Sequence, residues 1–366
     1  MGERRYADIG AVDLELGATL PAVRVAYETW GSPRHDSAGL ITNAVLVLHA
    51  LTGDAHVVGP TGPDQPTPGW WDDLVGPGRA IDTDRWLVVA SNVLGGCRGT
   101  TGPATIAADG QLWGPRFPAV TVRDQVTVEA RLADHLGIAR YAAVVGGSMG
   151  GMRALEWAIM HPERVGAVVA LAVGAVATAD QIATQSAQIQ AIKQDPAWKG
   201  GAYDGEGPVA GLGLARKIAH LTYRGELELD TRFGRNPQGA RDPLVGGQFA
   251  IQSYLDHQAD KLTRRFDARS YVTLSEAMNT HDVGRGRGGI APALAAIRSP
   301  AFIGGVDSDR LYPLRLQAEL AERVPTCEKL HVIHSPYGHD AFLIESGQVA
   351  ALIGDALSAV AHLVSD

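Results

Sequence analysis

The 366-residue sequence predicts an α/β fold, a mostly parallel sheet flanked by helices. Short, continuously apolar runs at Ala44 to His49, Trp86 to Ser91, Val165 to Val173 and Ala301 to Val306 read as strands buried on both faces. Helix-length amphipathic patterns separate several of them, the alternation that builds a parallel sheet. A third observation places chemistry on this frame. The apolar run Tyr141 to Val145 meets Gly146-Gly147-Ser148-Met149-Gly150, and a helical pattern follows until His161-Pro162, where proline cannot continue it. A bare G-x-S-x-G also describes a glycine-rich turn with a surface serine. Its place between a buried strand and a helix points instead to a nucleophile elbow, a turn so tight that the neighbours of the serine must lack bulk.

In chain order, Ala22 to Tyr27 alternates polar and apolar residues, which suggests antiparallel edge strands within the first thirty residues. Gly31 to Asn43 is a turn-rich loop. The strand Ala44 to His49 runs into Ala50-Leu51-Thr52-Gly53-Asp54, a loop placed to supply one oxyanion N–H from Leu51, with Met149 after the serine supplying the other. Pro60 to Arg79 is an irregular surface loop. After Trp86 to Ser91 comes the glycine cluster Asn92 to Pro103, which lacks the Gly-Lys-Ser/Thr of a Walker loop. Arg123 to Leu136 is an amphipathic helix that Gly137 ends. From Gly174 to about Ala296 buried strand runs cease, and helices are expected at Asp180 to Lys193, Gly211 to Tyr223, Gly246 to Leu262 and Tyr271 to Met278. Gly284-Arg285-Gly286-Arg287-Gly288 follows no strand and opens no helix at the right offset, so it is not a dinucleotide loop. Strand character returns at Ala301 to Val306 and Glu328 to His334, with a helix at Leu314 to Arg323 and, after the loop Ser335 to Asp340, a C-terminal helix ending near Val364.

Composition narrows the function. A hydrophobic fraction of 45% and a charged fraction of 20% describe an ordinary globular chain with a sizeable core. The net charge of −8 implies no general attraction to nucleic acid or to an anionic membrane. Cys97 and Cys327, the two cysteines, make no disulfide framework and suit a reducing compartment. With neither a signal-peptide core nor a bilayer-length apolar run, the expectation is a soluble, cytoplasmic protein. The histidines are scattered and no H-E-x-x-H or C-x-x-C spacing occurs, so no metal site and no resident cofactor are expected.

A serine hydroxyl needs a histidine to take its proton and a carboxylate to orient that histidine. In the α/β-hydrolase order, serine comes first, then the acid, then histidine. Ser148 is followed by Asp309 just past one strand and His339 just past the next, at the strand ends where open parallel sheets bind ligands. Asp307 is the rival acid. His331 and His334, within the last strand, are less well placed to reach across to Ser148.

Beyond the triad, the chain carries the segments HALTG from His49, NVLGGCRGTTGP from Asn92, GGSMGG from Gly146, ARKIA from Ala215 with Thr222-Tyr223, THDVGRGRGG from Thr280, DSDRLYP from Asp307 and YGHD from Tyr337. In these segments it resembles the homoserine O-acetyltransferases of the α/β-hydrolase superfamily. The resemblance implies an α/β-hydrolase core at 1–173 and 297–366 with a helical lid insertion at 174–296. It places the nucleophile on Ser148, the base on His339 and the acid on Asp309 rather than Asp307. It also places a carboxylate-binding arginine on Arg216 and an ammonium-binding acid on Asp340. The implied reaction is acetyl transfer from acetyl-CoA to L-homoserine in methionine biosynthesis, by a ping-pong route, in a homodimer joined through the insertion. Succinyl-CoA as donor, serine as acceptor, and a serine esterase that passes the acyl group to water remain the alternatives.

Overall fold

The computed structural model describes residues 2–363. Its centre is an eight-stranded sheet: β1 (Arg5–Asp8), β2 (Arg24–Trp30), β3 (Ala44–Leu48), β4 (Leu87–Ser91), β5 (Tyr141–Gly147), β6 (Val165–Leu171), β7 (Ala301–Val306) and β8 (Leu330–Ile333). The spatial order is β1-β2-β4-β3-β5-β6-β7-β8. β2 is antiparallel to both its neighbours, and every pair from β4 to β8 is parallel. The alternating N-terminal segment therefore forms the edge, and the continuous apolar runs form the doubly covered centre, as their patterns demand.

Alternate side chains of each central strand enter different cores. Leu46, Leu48 and Val144 pack with Val126, Ala130, Met152 and Leu155 from α1 (Val122–His135) and α2 (Met149–Met160). Val45, Val47, Ala143 and Val145 face the opposite way. There they join residues of a C-terminal helix, Leu352, Ile353 and Ala356. Each such valine, leucine, isoleucine or methionine side chain is worth about 1.5–3 kcal/mol when withdrawn from water. Thr121 starts α1 through a reciprocal capping box with Asp124, and Gly137, at φ +72°, turns the chain out of it.

Between β6 and β7 lie α3 (Ala179–Lys193), α4 (Val209–Tyr223), α5 (Glu226–Phe233), α6 (Ala250–Thr263), α7 (Ala268–Asn279) and α8 (Ile290–Ala295). Two departures from expectation have local causes. The short, charge-rich α5 carries too little apolar periodicity to be read from sequence. α6 starts at Ala250 rather than Gly246 because Gly246 sits at φ +90° and Gln248–Phe249 pairs with Pro237–Gln238. The glycine-arginine segment after α7 closes on itself, since a Cβ on Gly284 would lie 2.5 Å from the Gly289 backbone. Its arginines brace it, Arg287 on Glu156 and Arg285 on Glu15, each at 2.8 Å.

After β7 comes α9 (Leu314–Arg323). The C-terminal helix is broken into α10 (Ala341–Ile344) and α11 (Ser346–Ala359) at Glu345, whose ψ of 57° is not helical. α11 stops at Ala359, short of the predicted end near Val364, a residue outside those described. Both cysteines are free thiols, and burial pushes that of Cys97 up to about 11.

Candidate active site

β5 delivers Ser148 to the turn before α2 at φ +55° and ψ −123°, a conformation that costs a non-glycine residue of the order of 1–3 kcal/mol. The surroundings hold it there. The Ser148 N–H donates to the Leu171 carbonyl of β6 at 2.9 Å. A Cβ on Gly146 would come within 2.2 Å of the Gly150 carbonyl oxygen, and one on Gly150 within 2.1 Å of that of Leu48. These two glycines let the elbow lie directly against the end of β3.

The loops after β7 and β8 bring two side chains to this point. One Asp309 carboxylate oxygen accepts the backbone N–H groups of Leu311 and Tyr312, both at 2.8 Å. The other lies 2.7 Å from His339 Nδ1, and His339 Nε2 lies 2.9 Å from Ser148 Oγ. The carboxylate assigns the proton to Nδ1, which leaves Nε2 to accept from the serine hydroxyl. All three residues are buried. The His339 ring stacks on Tyr312, with centroids 5.1 Å apart, and meets the edge of Phe342. Burial disfavours its cation, but the Asp309 carboxylate, with Asp340 adding to it, outweighs burial and holds the imidazole pKa above its ordinary value. Asp307 goes elsewhere, to His334 Nδ1 at 2.8 Å on the surface.

Leu51 lies in the turn after β3 and Met149 is the first residue of α2, where an N–H has no intrahelical partner. The Leu51 turn is held from behind by His49. Its Nδ1–H donates to the Ala50 carbonyl at 2.7 Å, and its Nε2 accepts the Val93 N–H at 3.1 Å. Burial, reinforced by Arg153, lowers the pKa of this ring to about 3 and keeps it neutral.

Ser148 and His339 open into a pocket shared with Leu51, Arg216, Tyr223 and Asp340. Arg216 comes from α4, with its guanidinium 5.5 Å from the Tyr223 ring centroid and Nη1 3.4 Å from Thr52 Oγ1. Asp340, the residue after His339, is half-buried and lies 3.6 Å from Arg224. Burial pushes its carboxyl up, against the pull of His339, Arg216 and Arg224. One guanidinium and one carboxylate at a single mouth suit a ligand carrying the opposite pair, such as an amino acid. Three pocket-side residues escaped the sequence reading. Gln185 and Gln188 line the wall from α3, and Arg224 buttresses Asp340 while it pairs with Glu228 at 2.7 Å. Only the three-residue spacing that puts the two glutamines on one face of α3 could have hinted at them. Among the described residues, no group of three or more His, Cys, Asp or Glu side chains could hold a metal ion. Nor is any single helix among them long and apolar enough to cross a membrane.

Comparison with known proteins agrees with this fold. A family model described as the alpha/beta hydrolase fold matches residues 43–346. A homoserine O-acetyltransferase of Mycobacterium sp. (strain KMS) is 59% identical over 356 residues, 96% of this chain and 94% of that one. The crystal structure of homoserine O-acetyltransferase from Bacillus anthracis superposes with a TM-score of 0.89 at 26% identity, covering 98% of both chains. That of esterase E22 superposes at 0.87 and 26% identity, covering 98% of this chain and all of the other.

Proposed function

The chain belongs to the homoserine O-acetyltransferase family of α/β hydrolases, and from that premise we propose a two-step transfer of acetyl from acetyl-CoA to the hydroxyl of L-homoserine, within methionine biosynthesis. The observation that carries this reading is the hydrogen-bonded run Asp309–His339–Ser148 opening on a pocket that also holds Arg216 and Asp340. Ser148 Oγ attacks the thioester carbonyl while His339 Nε2 takes its proton. The Leu51 and Met149 N–H groups receive the charge that develops on the carbonyl oxygen. The C–S bond breaks, and His339 returns the proton to the departing CoA sulfur. Homoserine then enters with its carboxylate on Arg216 and its ammonium on Asp340, which aims its hydroxyl at the acyl carbon. His339 takes the hydroxyl proton and returns it to Ser148 as the product ester leaves.

In this reading residues 1–173 and 297–366 form the catalytic core and carry Asp340, and the 174–296 insertion supplies Arg216 to the acceptor side of the pocket. The chemistry requires no metal and no resident cofactor. We place a homodimer contact on the insertion as well, because Leu214 and Leu221 lie seven residues apart on one face of α4 and are about half exposed, at 51% and 48%.

A second reading has a specific observation behind it, the near-equal likeness to an esterase. The test offers acetyl-CoA or succinyl-CoA to homoserine, serine and water, with each product identified by mass. We expect O-acetylhomoserine to predominate. Acetyl passing to water as fast as to homoserine would sink the transferase reading in favour of the esterase.

A further inference from the structure

The proposed reaction does not use every buried cation. Arg153, on α2 five residues after the nucleophile, is completely inaccessible to solvent. A guanidinium taken out of water is costly to keep, and well-packed apolar side chains often serve stability as well or better. The contacts of Arg153 point to what it does. Nη1 donates to Glu129 Oε1 at 2.5 Å, and the other oxygen of Glu129 accepts the indole N–H of Trp157 at 2.8 Å. Nη2 donates to the carbonyl of His49, at the junction of β3 and the Leu51 turn. Arg153 thus rises from the helix that begins with Met149 and grips the segment that carries Leu51.

We propose that Arg153 is a positioning residue for the oxyanion hole, its guanidinium anchored by Glu129 and fixing the His49 carbonyl so that the Leu51 and Met149 N–H groups converge. The two donors come from different strand ends, so their convergence depends on the spacing between those ends. The bare Cα of Gly150 allows the close approach, and Arg153 fixes its register. The inference rests on Leu51 and Met149 being the donors, and the experiment separates the two claims.

Arg153→Met alone would strand the Glu129 charge, so the informative variant is Arg153→Met with Glu129→Gln, which removes both charges together. Arg153→Lys is its companion, because one ammonium cannot reproduce the two-pronged grip. For each, melting temperature, kcat, KM for homoserine and the affinity of a trifluoromethyl ketone are measured. Addition of Ser148 to that ketone places an oxyanion in the hole. Outright loss of an oxyanion donor costs about 10²–10³ in kcat, so a displaced donor should cost about 10–100-fold. We expect kcat and ketone affinity to fall together in both variants, less in Arg153→Lys, with KM unchanged. A folded double variant with wild-type kcat overturns the proposal. So does a fall in kcat that leaves ketone affinity intact, or a change confined to KM. If the double variant does not fold, Arg153→Lys decides by the same criteria. Leu51→Pro, which deletes the donor N–H, tests the underlying assignment. Activity retained there removes the oxyanion reading itself, whereas an inactive Leu51→Pro beside a wild-type-like Arg153 double variant removes only the positioning role.

Discussion

Two aspartate–histidine pairs follow the last two strands of the sheet. Asp309–His339 and Asp307–His334 have nearly the same Nδ1 to carboxylate separation, 2.7 and 2.8 Å. They differ in surroundings. The side chains of the first pair are 0% and 5% exposed, with the second ring nitrogen on a serine hydroxyl. Those of the second are 40% and 76% exposed. In water such a pair is worth about 0–1 kcal/mol and is readily exchanged for solvent. Out of water the carboxylate governs the tautomer and proton affinity of its histidine, and the hydroxyl gives that affinity something to act on. Contact geometry alone therefore does not identify a base; burial and the second partner do.

The comparison breaks most completely at the second partner. In the proposed mechanism acetyl-CoA alone should leave an acetyl adduct on the Ser148 peptide, read by mass spectrometry, and Ser148→Ala should abolish it and lower turnover by about 10⁴–10⁶. An adduct on another residue would remove Ser148 as the nucleophile. Asp309→Asn comes next, because an amide stabilises the wrong tautomer; kcat should fall by about 10⁴ with the fold intact by circular dichroism. Arg216→Ala leaves the buried pair whole and tests the acceptor side alone. Loss of a charge-assisted partner costs about 1.5–3 kcal/mol. Efficiency with homoserine should then fall at least about tenfold while a first burst of CoA persists.

The pH profile sharpens the same contrast by a smaller amount. In the proposed mechanism the neutral form of His339 is the base, so kcat/KM should rise with pH as the imidazolium loses its proton. Asp309 holds that proton on, so the midpoint should lie above the ordinary histidine value of about 6.5 and drop in Asp309→Asn. A midpoint below that value in the wild type would mean that burial, not the carboxylate, dominates. Asp307→Asn should matter least, changing kcat by less than about twofold because its partner is solvated. A loss comparable to that of Asp309→Asn would show that the two pairs are coupled.

The sheet was legible because burial on both faces leaves no choice but continuous apolar runs. The elbow was legible because the approaches of Gly146 and Gly150 to backbone atoms forbid any Cβ. The choice between Asp307 and Asp309 was not legible from residue pattern. Both follow β7; the residue pattern put Asp309 first but kept Asp307 as a rival, and only the resemblance settled the choice. In the structure it falls on Asp309, the one that reaches His339. The helices between β6 and β7 were harder to read because they serve a pocket as well as a core. Gln185 and Gln188 face the pocket from positions that a simple amphipathic pattern would call interior. The alternation of charge in α5 concealed it altogether.

Ser148 and His339 stand 191 residues apart in the chain. Synthesis proceeds from the N-terminus, so β5 and the elbow emerge long before β7 and β8 can bring the acid and the base. Parallel pairing across so long an intervening segment is also intrinsically slow, since the loop must close before its contacts reward it. The growing chain thus carries a serine with nothing to deprotonate it until the last strand joins the sheet. In the proposed chemistry reactivity arrives only with completion of the fold, and a chain cut before β8 lacks His339 and should form no acyl ester.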